Sequence, residues 1–158
     1  MTASDRKFMR AAIQLAEKGM KMNAGGPFGA VVVKNGEIIA EGFNRVTSYN
    51  DPTAHAEIIA IREACRKLGT FQLDDCEIYT SCEPCPMCLG AIYWARPKKI
   101  YYACTREDAA SANFDDQFIY DELELKIDER RVDFENIIRE EGLYLFSNWI
   151  NKNDKKEY

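Results

Sequence analysis

The sequence predicts an α/β fold, a three-layer α/β/α arrangement with helices on both faces of a central mixed sheet. Predicted strands and helices alternate along most of the chain, which favours this architecture. Asn35-Gly36 separates two apolar runs and predicts a β-hairpin at the start of the sheet. The 158 residues, 46% hydrophobic and 30% charged, fit one globular domain spanning residues 1–158.

The N-terminal part of the chain predicts a helix followed by this hairpin. Ser4 or Asp5 can cap a helix that runs to about Lys18, and Gly19 is its predicted stop. A glycine-rich loop comes next. The predicted hairpin strands are Ala30–Lys34 and Glu37–Gly42.

The middle of the chain predicts alternating helices and strands. Thr53 is the predicted N-cap of a second helix, which Gly69 ends. Prolines flank the third helix, one at its start and one beyond its end. The elements after Gly69 are strand Glu77–Ser81, helix Pro84–Ala95 and strand Ile100–Cys104.

The last third predicts less regular structure. Thr105–Asp116 lacks a clear period and is predicted as a loop, and Phe118–Leu123 as a helical turn. Val132–Ile138 is a candidate edge strand, and Glu140–Asn151 carries one apolar stripe that predicts a final helix. We expect residues 124–158 to form a C-terminal segment that caps the active site.

Composition and charge exclude several classes of partner. The formal net charge of −5 weighs against nucleic acid, because phosphate backbones are bound through Lys and Arg clusters. No run of about 18 apolar residues occurs, so no membrane span is expected. The segment Met1–Lys7 is polar and lacks the apolar core of a signal peptide, which predicts a cytoplasmic protein.

Two short stretches supply side chains that suit a zinc ion. Residues 53–57 contain the only histidine of the chain, His55, and residues 81–88 contain Cys85 and Cys88. Cysteines three apart on the first turn of a helix lie on one side, and the helix N-terminus favours their negative charge. One His and two Cys leave the fourth zinc position to water, which is the pattern of a catalytic site.

Glu57 lies two residues after His55 and therefore near any water held at the site. A carboxylate there can take a proton from that water and return it to a leaving group. A redox Cys-x-x-Cys pair and a structural zinc site are the alternatives, and Cys82 is a further candidate ligand. The remaining cysteines, predicted as core thiols, are Cys65, Cys76 and Cys104.

With these residues the chain resembles the cytidine deaminase superfamily. His-x-Glu followed by Pro-Cys-x-x-Cys is the signature of its zinc deaminases, and the resemblance covers most of the chain. Within the superfamily it is similar to small bacterial guanine deaminases. The stretches that carry this closer resemblance are Gly25–Gly29, Asn50–Glu57, Leu89–Ala95, Phe114–Asp116 and Lys155–Tyr158.

The resemblance implies a mixed five-stranded sheet and zinc-dependent hydrolytic deamination of guanine to xanthine and ammonia. One zinc ion per chain would be bound by His55, Cys85 and Cys88, with Glu57 as the proton shuttle. The resemblance further implies a homodimer in which C-terminal segments can be exchanged between subunits. The implied contacts to the purine base are Asn44, the backbone of Ala56, Asp116 and Tyr158, with Phe28 stacked on the ring.

Physical chemistry supports the purine, although each contact has a simpler alternative. The acceptor carboxylate of Asp116 suits the N–H groups of guanine, and the amide of Asn44 suits a mixed edge. Alternatively, Asn44 is a turn residue, Asp116 a helix cap and Phe28 a core residue, and Tyr158 lies at a chain end. The alternative substrates are guanosine, cytosine and adenosine in tRNA, and the non-enzymatic alternative is a zinc-stabilised binding module.

Overall fold

The computed structural model describes residues 2–158 and divides into two compact units, the second of which is Gln117–Tyr158. The first unit contains α1 (Ala3–Lys21), β1 (Gly29–Lys34), β2 (Glu37–Phe43), α2 (Val46–Tyr49), α3 (Ala56–Leu68), β3 (Cys76–Cys82), α4 (Pro86–Ala95), β4 (Lys99–Cys104) and α5 (Arg106–Ser111). The second unit contains α6 (Gln117–Glu124), a 3₁₀ turn (Ile127–Glu129) and α7 (Arg139–Asn151). The capping role of residues 124–158 stays a prediction.

The sheet is mixed, as predicted, but it has four strands in the order β2-β1-β3-β4. β1 is antiparallel to both β2 and β3, and β3 is parallel to β4. The expectation of five strands is therefore wrong for the described residues. Val132–Ile138, the candidate edge strand, is irregular backbone, since a strand forms only where a partner strand accepts its ladder of hydrogen bonds. β4 consequently lies at the edge of the sheet.

The hairpin prediction is confirmed. Asn35 and Gly36 join β1 to β2 with φ of 52° and 79°, the left-handed backbone that a type I′ turn requires. Alternate residues of β1 then face opposite sides of the sheet. Val31 packs in the cluster against α1, and Val32 packs in the cluster against α3 and α4. The three-layer arrangement is therefore confirmed for the first unit.

The first helix is longer than predicted at both ends. Thr2 is the N-cap, and its side chain and that of Asp5 bond each other's backbone N–H in a capping box. Gly19 does not end the helix. It is buried against Phe43, where an added Cβ would lie 2.7 Å from Cδ2, so this glycine provides close packing between α1 and β2.

Thr53 is not the cap of α3, which begins three residues later. The Oδ1 atom of Asp51 accepts hydrogen bonds from Thr53 N at 2.8 Å and from Thr53 Oγ1 at 2.7 Å. Pro52 and Thr53 form a separate turn held by these hydrogen bonds, and His55 takes the N-cap position. Gly69 ends the helix as predicted, with φ of 65°.

The predicted loop after β4 contains a helix. Thr105 and Asp108 form a capping box that starts α5. Among the other cysteines, Cys76 is buried and Cys65 half-buried, whereas Cys104 is exposed, so its prediction as a core thiol is wrong. Its position on the edge strand β4 explains this exposure. Within residues 2–158, none of the helices combines the length and the hydropathy needed to cross a membrane.

Candidate active site

The candidate site lies where two helices begin. His55 is the N-cap of α3 and Cys85 is the N-cap of α4, and neither side chain makes a capping hydrogen bond. Pro86 occupies the first turn of α4, where its missing N–H costs nothing. Cys88 lies on the same turn and is fully buried. The side chains at these two N-cap positions are not used for capping and are thus available to bind a metal.

The geometry of this cluster fits a tetrahedral zinc ion. His55 Nδ1 lies 3.5 Å from Cys85 Sγ and 3.5 Å from Cys88 Sγ, and all the donor atoms lie within 4.8 Å of one another. Zinc bonds of about 2.0 Å to nitrogen and 2.3 Å to sulfur, at the tetrahedral angle, place N and S about 3.5 Å apart. The distances and the donor chemistry therefore match zinc.

Hydrogen bonds link the pKa values of the three side chains. A hydrogen bond from Cys88 lowers the pKa of the Cys85 thiol to about 4, so Cys85 is the thiolate of the pair. The same hydrogen bond, with burial, raises the pKa of Cys88. A hydrogen bond with Cys85 raises the pKa of His55. The thiolate of Cys85 is thus the negative charge at the point where the donor atoms converge.

Glu57 completes the cluster as a buried acid. It is the second residue of α3, and its side chain is only 6% exposed. Burial raises the pKa of the Glu57 carboxyl, and the nearby charge of Cys85 raises it further. A carboxyl whose pKa lies above its usual range can both accept and release a proton near neutral pH.

Cys82 is separate from this cluster. It is the last residue of β3, and its buried thiol lies 3.4 Å from the carbonyl oxygen of Thr105. Burial raises the pKa of Cys82 to about 11, so the group stays a neutral thiol. Within residues 2–158, the group of side chains able to hold a metal consists of His55, Cys85 and Cys88.

Asn44 lies in a tight turn after β2 and is 5% exposed. Its Oδ1 accepts a hydrogen bond from Val46 N at 3.1 Å, and its backbone N–H donates to the Phe28 carbonyl at 2.9 Å. An added Cβ at Gly25 would lie 2.0 Å from Asn44 Oδ1, so only glycine leaves room for this side chain. Asn44 is therefore a turn residue whose NH₂ end is its remaining hydrogen-bonding group.

Asp116, the last residue of the first unit, lies within electrostatic reach of Cys85. Burial raises the pKa of the Asp116 carboxyl, and the charge of Cys85 raises it further. Ala56 is the first residue of α3, where a backbone N–H has no acceptor within the helix. Tyr158 belongs to the second unit, and its side chain is 72% exposed.

Phe28 is half-buried and packs against the core cluster that contains residues of α3, and its stacking on a base stays a prediction. Its ring also contacts Phe114, with centroids 5.0 Å apart. The sequence reasoning assigned no role to Phe114 or to Gly25. The signal available in the sequence was the position of Phe114, two residues before Asp116.

Comparisons with known proteins agree with this geometry. Residues 2–104 match the family model for the cytidine and deoxycytidylate deaminase zinc-binding region. A guanine deaminase of Bacillus subtilis is 58% identical over 151 residues, which cover 96% of this chain and 97% of that protein. A tRNA-specific adenosine deaminase of Aquifex aeolicus is 43% identical over 96 residues, which cover 61% of this chain and 63% of that protein.

Solved structures of guanine deaminases share this fold. The X-ray structure of guanine deaminase from Bacillus subtilis superposes with a TM-score of 0.95 at 56% identity, covering all of this chain and 99% of that one. A guanine deaminase from Nitrosomonas europaea gives a TM-score of 0.66 at 35% identity, covering 69% of this chain and 63% of that one. The chain therefore belongs to the family of zinc-binding cytidine and deoxycytidylate deaminases.

Proposed function

We propose that this protein catalyses the zinc-dependent hydrolytic deamination of guanine to xanthine and ammonia. The observation that carries the reaction type is the buried Glu57 carboxyl beside the His55, Cys85 and Cys88 cluster. A structural zinc site or a binding module needs no such acid. The choice of guanine is supported by the likeness to a guanine deaminase across both units, residues after Asp116 included.

His55, Cys85 and Cys88 hold the metal in this proposal. Zinc, when bound, makes a water molecule acidic enough to lose a proton near neutral pH. Glu57 takes up that proton as oxygen attacks the ring carbon that bears the exocyclic amine. Glu57 then returns the proton to the amine, the carbon–nitrogen bond breaks and ammonia leaves. Its raised pKa suits both transfers, because the carboxyl must accept a proton and then release it.

The base is oriented by a donor and an acceptor. Since Oδ1 of Asn44 is bonded to Val46 N, its NH₂ end is the group left to donate to a ring nitrogen or carbonyl of guanine. The carboxylate of Asp116 accepts from the N–H groups of the base. The N–H of Ala56 donates at the start of α3, and the ring of Phe28 stacks on the purine. Tyr158 is a further proposed contact to the base.

Adenosine in tRNA is the second candidate substrate, because tRNA-specific deaminases match the core of the chain. That likeness covers 61% of the chain, whereas the likeness to the guanine deaminase covers 96%. The net charge of −5 also opposes a polyanionic substrate. These observations favour the free base.

A substrate panel tests the proposal. Zinc-loaded protein is assayed for ammonia release from guanine, guanosine, cytosine and a tRNA anticodon stem–loop. We expect kcat/KM for guanine to exceed that for each of the others by about 10²-fold or more, because unmatched polar groups in the pocket penalise the wrong ring. A larger kcat/KM for guanosine, cytosine or the stem–loop contradicts the choice of guanine.

The role of Glu57 is tested with Glu57→Gln, which keeps the shape of the side chain but cannot carry the proton. We expect the zinc content to stay at one ion per chain and kcat to fall by about 10²- to 10⁴-fold. Metal analysis and steady-state kinetics on one preparation measure both. Retained turnover in a zinc-loaded Glu57→Gln protein excludes the proton-shuttle role.

The metal ligands are tested with a matched pair of cysteine variants. Cys85→Ala removes a donor from the cluster, and we expect the bound zinc to fall well below one ion per chain. Cys82→Ala removes a buried thiol outside the cluster, and we expect it to keep zinc. Elemental analysis after gel filtration measures both. The reverse pattern, with zinc lost only from Cys82→Ala, overturns the ligand assignment.

The proposal includes a homodimer in which each C-terminal segment reaches the neighbouring subunit. In the first unit, β4 is the edge of the sheet and leaves a row of backbone groups open to pairing. In the second unit, α7 has no buried residue. Exposed apolar surface of this extent is typical of an interface. Its large side chains include Leu143, Phe146, Trp149 and Ile150.

Complementation between two inactive chains tests the exchange. One chain carries Glu57→Gln and the other lacks Tyr158, and the two are co-expressed with different tags. If tails are exchanged, each mixed dimer contains one intact core served by an intact tail. Random pairing makes half of the dimers mixed, so activity returns to about a quarter of the wild-type value. A monomeric mass near 18.1 kDa, or no recovery in purified mixed dimers, contradicts the exchange.

A further inference from the structure

Phe114 is an exposed aromatic residue, 44% accessible, yet its ring edge is fixed against a second ring. The centroids of Phe28 and Phe114 lie 5.0 Å apart with an interplanar angle of 87°. This is the edge-to-face arrangement that aromatic quadrupoles favour. The tilt of the Phe28 ring is therefore set by a neighbour outside the core, in addition to the core residues beneath it.

The backbone under this ring pair is shaped to leave it room. A Cβ added at Gly26 would lie 2.9 Å from Phe28 Cε2 and 3.0 Å from Phe114 Cε1. Gly26 does not have a positive φ, so the glycine is needed for space and not for its backbone conformation. Any side chain at position 26 would push both rings out of their present arrangement.

Phe114 is also held at a fixed distance from the metal ligands. Its backbone N–H donates to the Ala109 carbonyl at 3.0 Å, which closes the last turn of α5. The start of α5 is tied to the loop before α4, because Arg106 N donates to Glu83 Oε2 at 3.2 Å. That loop leads directly into Cys85. The ring pair and the zinc cluster thus share one connected framework.

We propose that Phe114 is a positioning residue for base recognition, acting through Phe28. Holding the Phe28 ring at right angles to its own, Phe114 sets the plane on which the flat base stacks and so lowers KM. The inference rests on the proposed function, in which Phe28 stacks on guanine. Phe114 itself takes no part in proton transfer, so kcat and zinc content depend on it little.

A double-mutant cycle tests the proposal. Phe114→Leu keeps an apolar side chain but removes the ring edge, and we expect KM for guanine to rise about 3- to 10-fold. We expect kcat and zinc content to change by less than about twofold, and Phe114→Tyr to keep the wild-type KM. Because Phe114 acts through Phe28, the double variant with Phe28→Leu should have the KM of Phe28→Leu alone.

The matched control is Phe71→Leu, which changes a phenylalanine of similar exposure, 48%, and should leave KM unchanged. Gly26→Ala displaces both rings from below and should raise KM as Phe114→Leu does. Phe114→Met, which also removes the ring, decides the question should Phe114→Leu fail to fold.

An unchanged KM in Phe114→Leu, multiplicative effects in the double variant, or a loss confined to zinc content or kcat each overturns the positioning role. A wild-type protein that deaminates another base fails the proposed function instead. The same cycle run with that base still decides the role of Phe114.

Discussion

The convergence of two helix N-termini on one point is the constraint on which the site depends. The first turn of a helix leaves N–H groups unpaired and carries partial positive charge. At α3 and α4 the N-cap positions hold His55 and Cys85, whose side chains face the metal cluster. The start of α3 can approach the sheet because Gly42 has no Cβ, which would lie 2.2 Å from the Ala56 carbonyl oxygen. Helix starts, sheet and donor atoms are thereby fixed together.

This arrangement holds the groups that carry the chemistry in positions that cost the fold stability. Glu57 is a buried carboxyl, and burial disfavours its charge. The thiolate of Cys85 lies near it and opposes that charge further. A dication held at this cluster would relieve both costs, because its positive charge would offset the charge of the thiolate and that of the buried carboxylate. The same groups that destabilise the fold are therefore those that zinc binding stabilises.

The sequence predicted the two cysteine ligands well because their spacing is local. Cys85 and Cys88 lie on one helical turn, and the hairpin at Asn35-Gly36 is equally local. The predictions that were wrong depend on competition between local hydrogen bonds or on pairing with a distant strand. Thr53 lost the N-cap position to His55 because Asp51 occupied its hydroxyl. The prediction of a fifth strand was wrong because a strand at the edge of the sheet forms only if it pairs with β4. The sequence of a short segment does not determine that pairing. The short helix α5 has its capping box in plain sequence, with Asp in place of the usual Glu.

Reaction type and substrate choice lie in different parts of the fold. The metal cluster is built from two helix starts, and both lie in residues 2–104, which match the family model for the zinc-binding region. Most of the proposed substrate contacts come instead from the turn after β2, the glycine-rich loop and the turn after α5, although the N–H of Ala56 belongs to the start of α3. Each is fixed by its own local interaction, such as the bond from Val46 N to Asn44 or the space left by Gly25. A change of substrate therefore requires changes in those turns and none in the metal ligands.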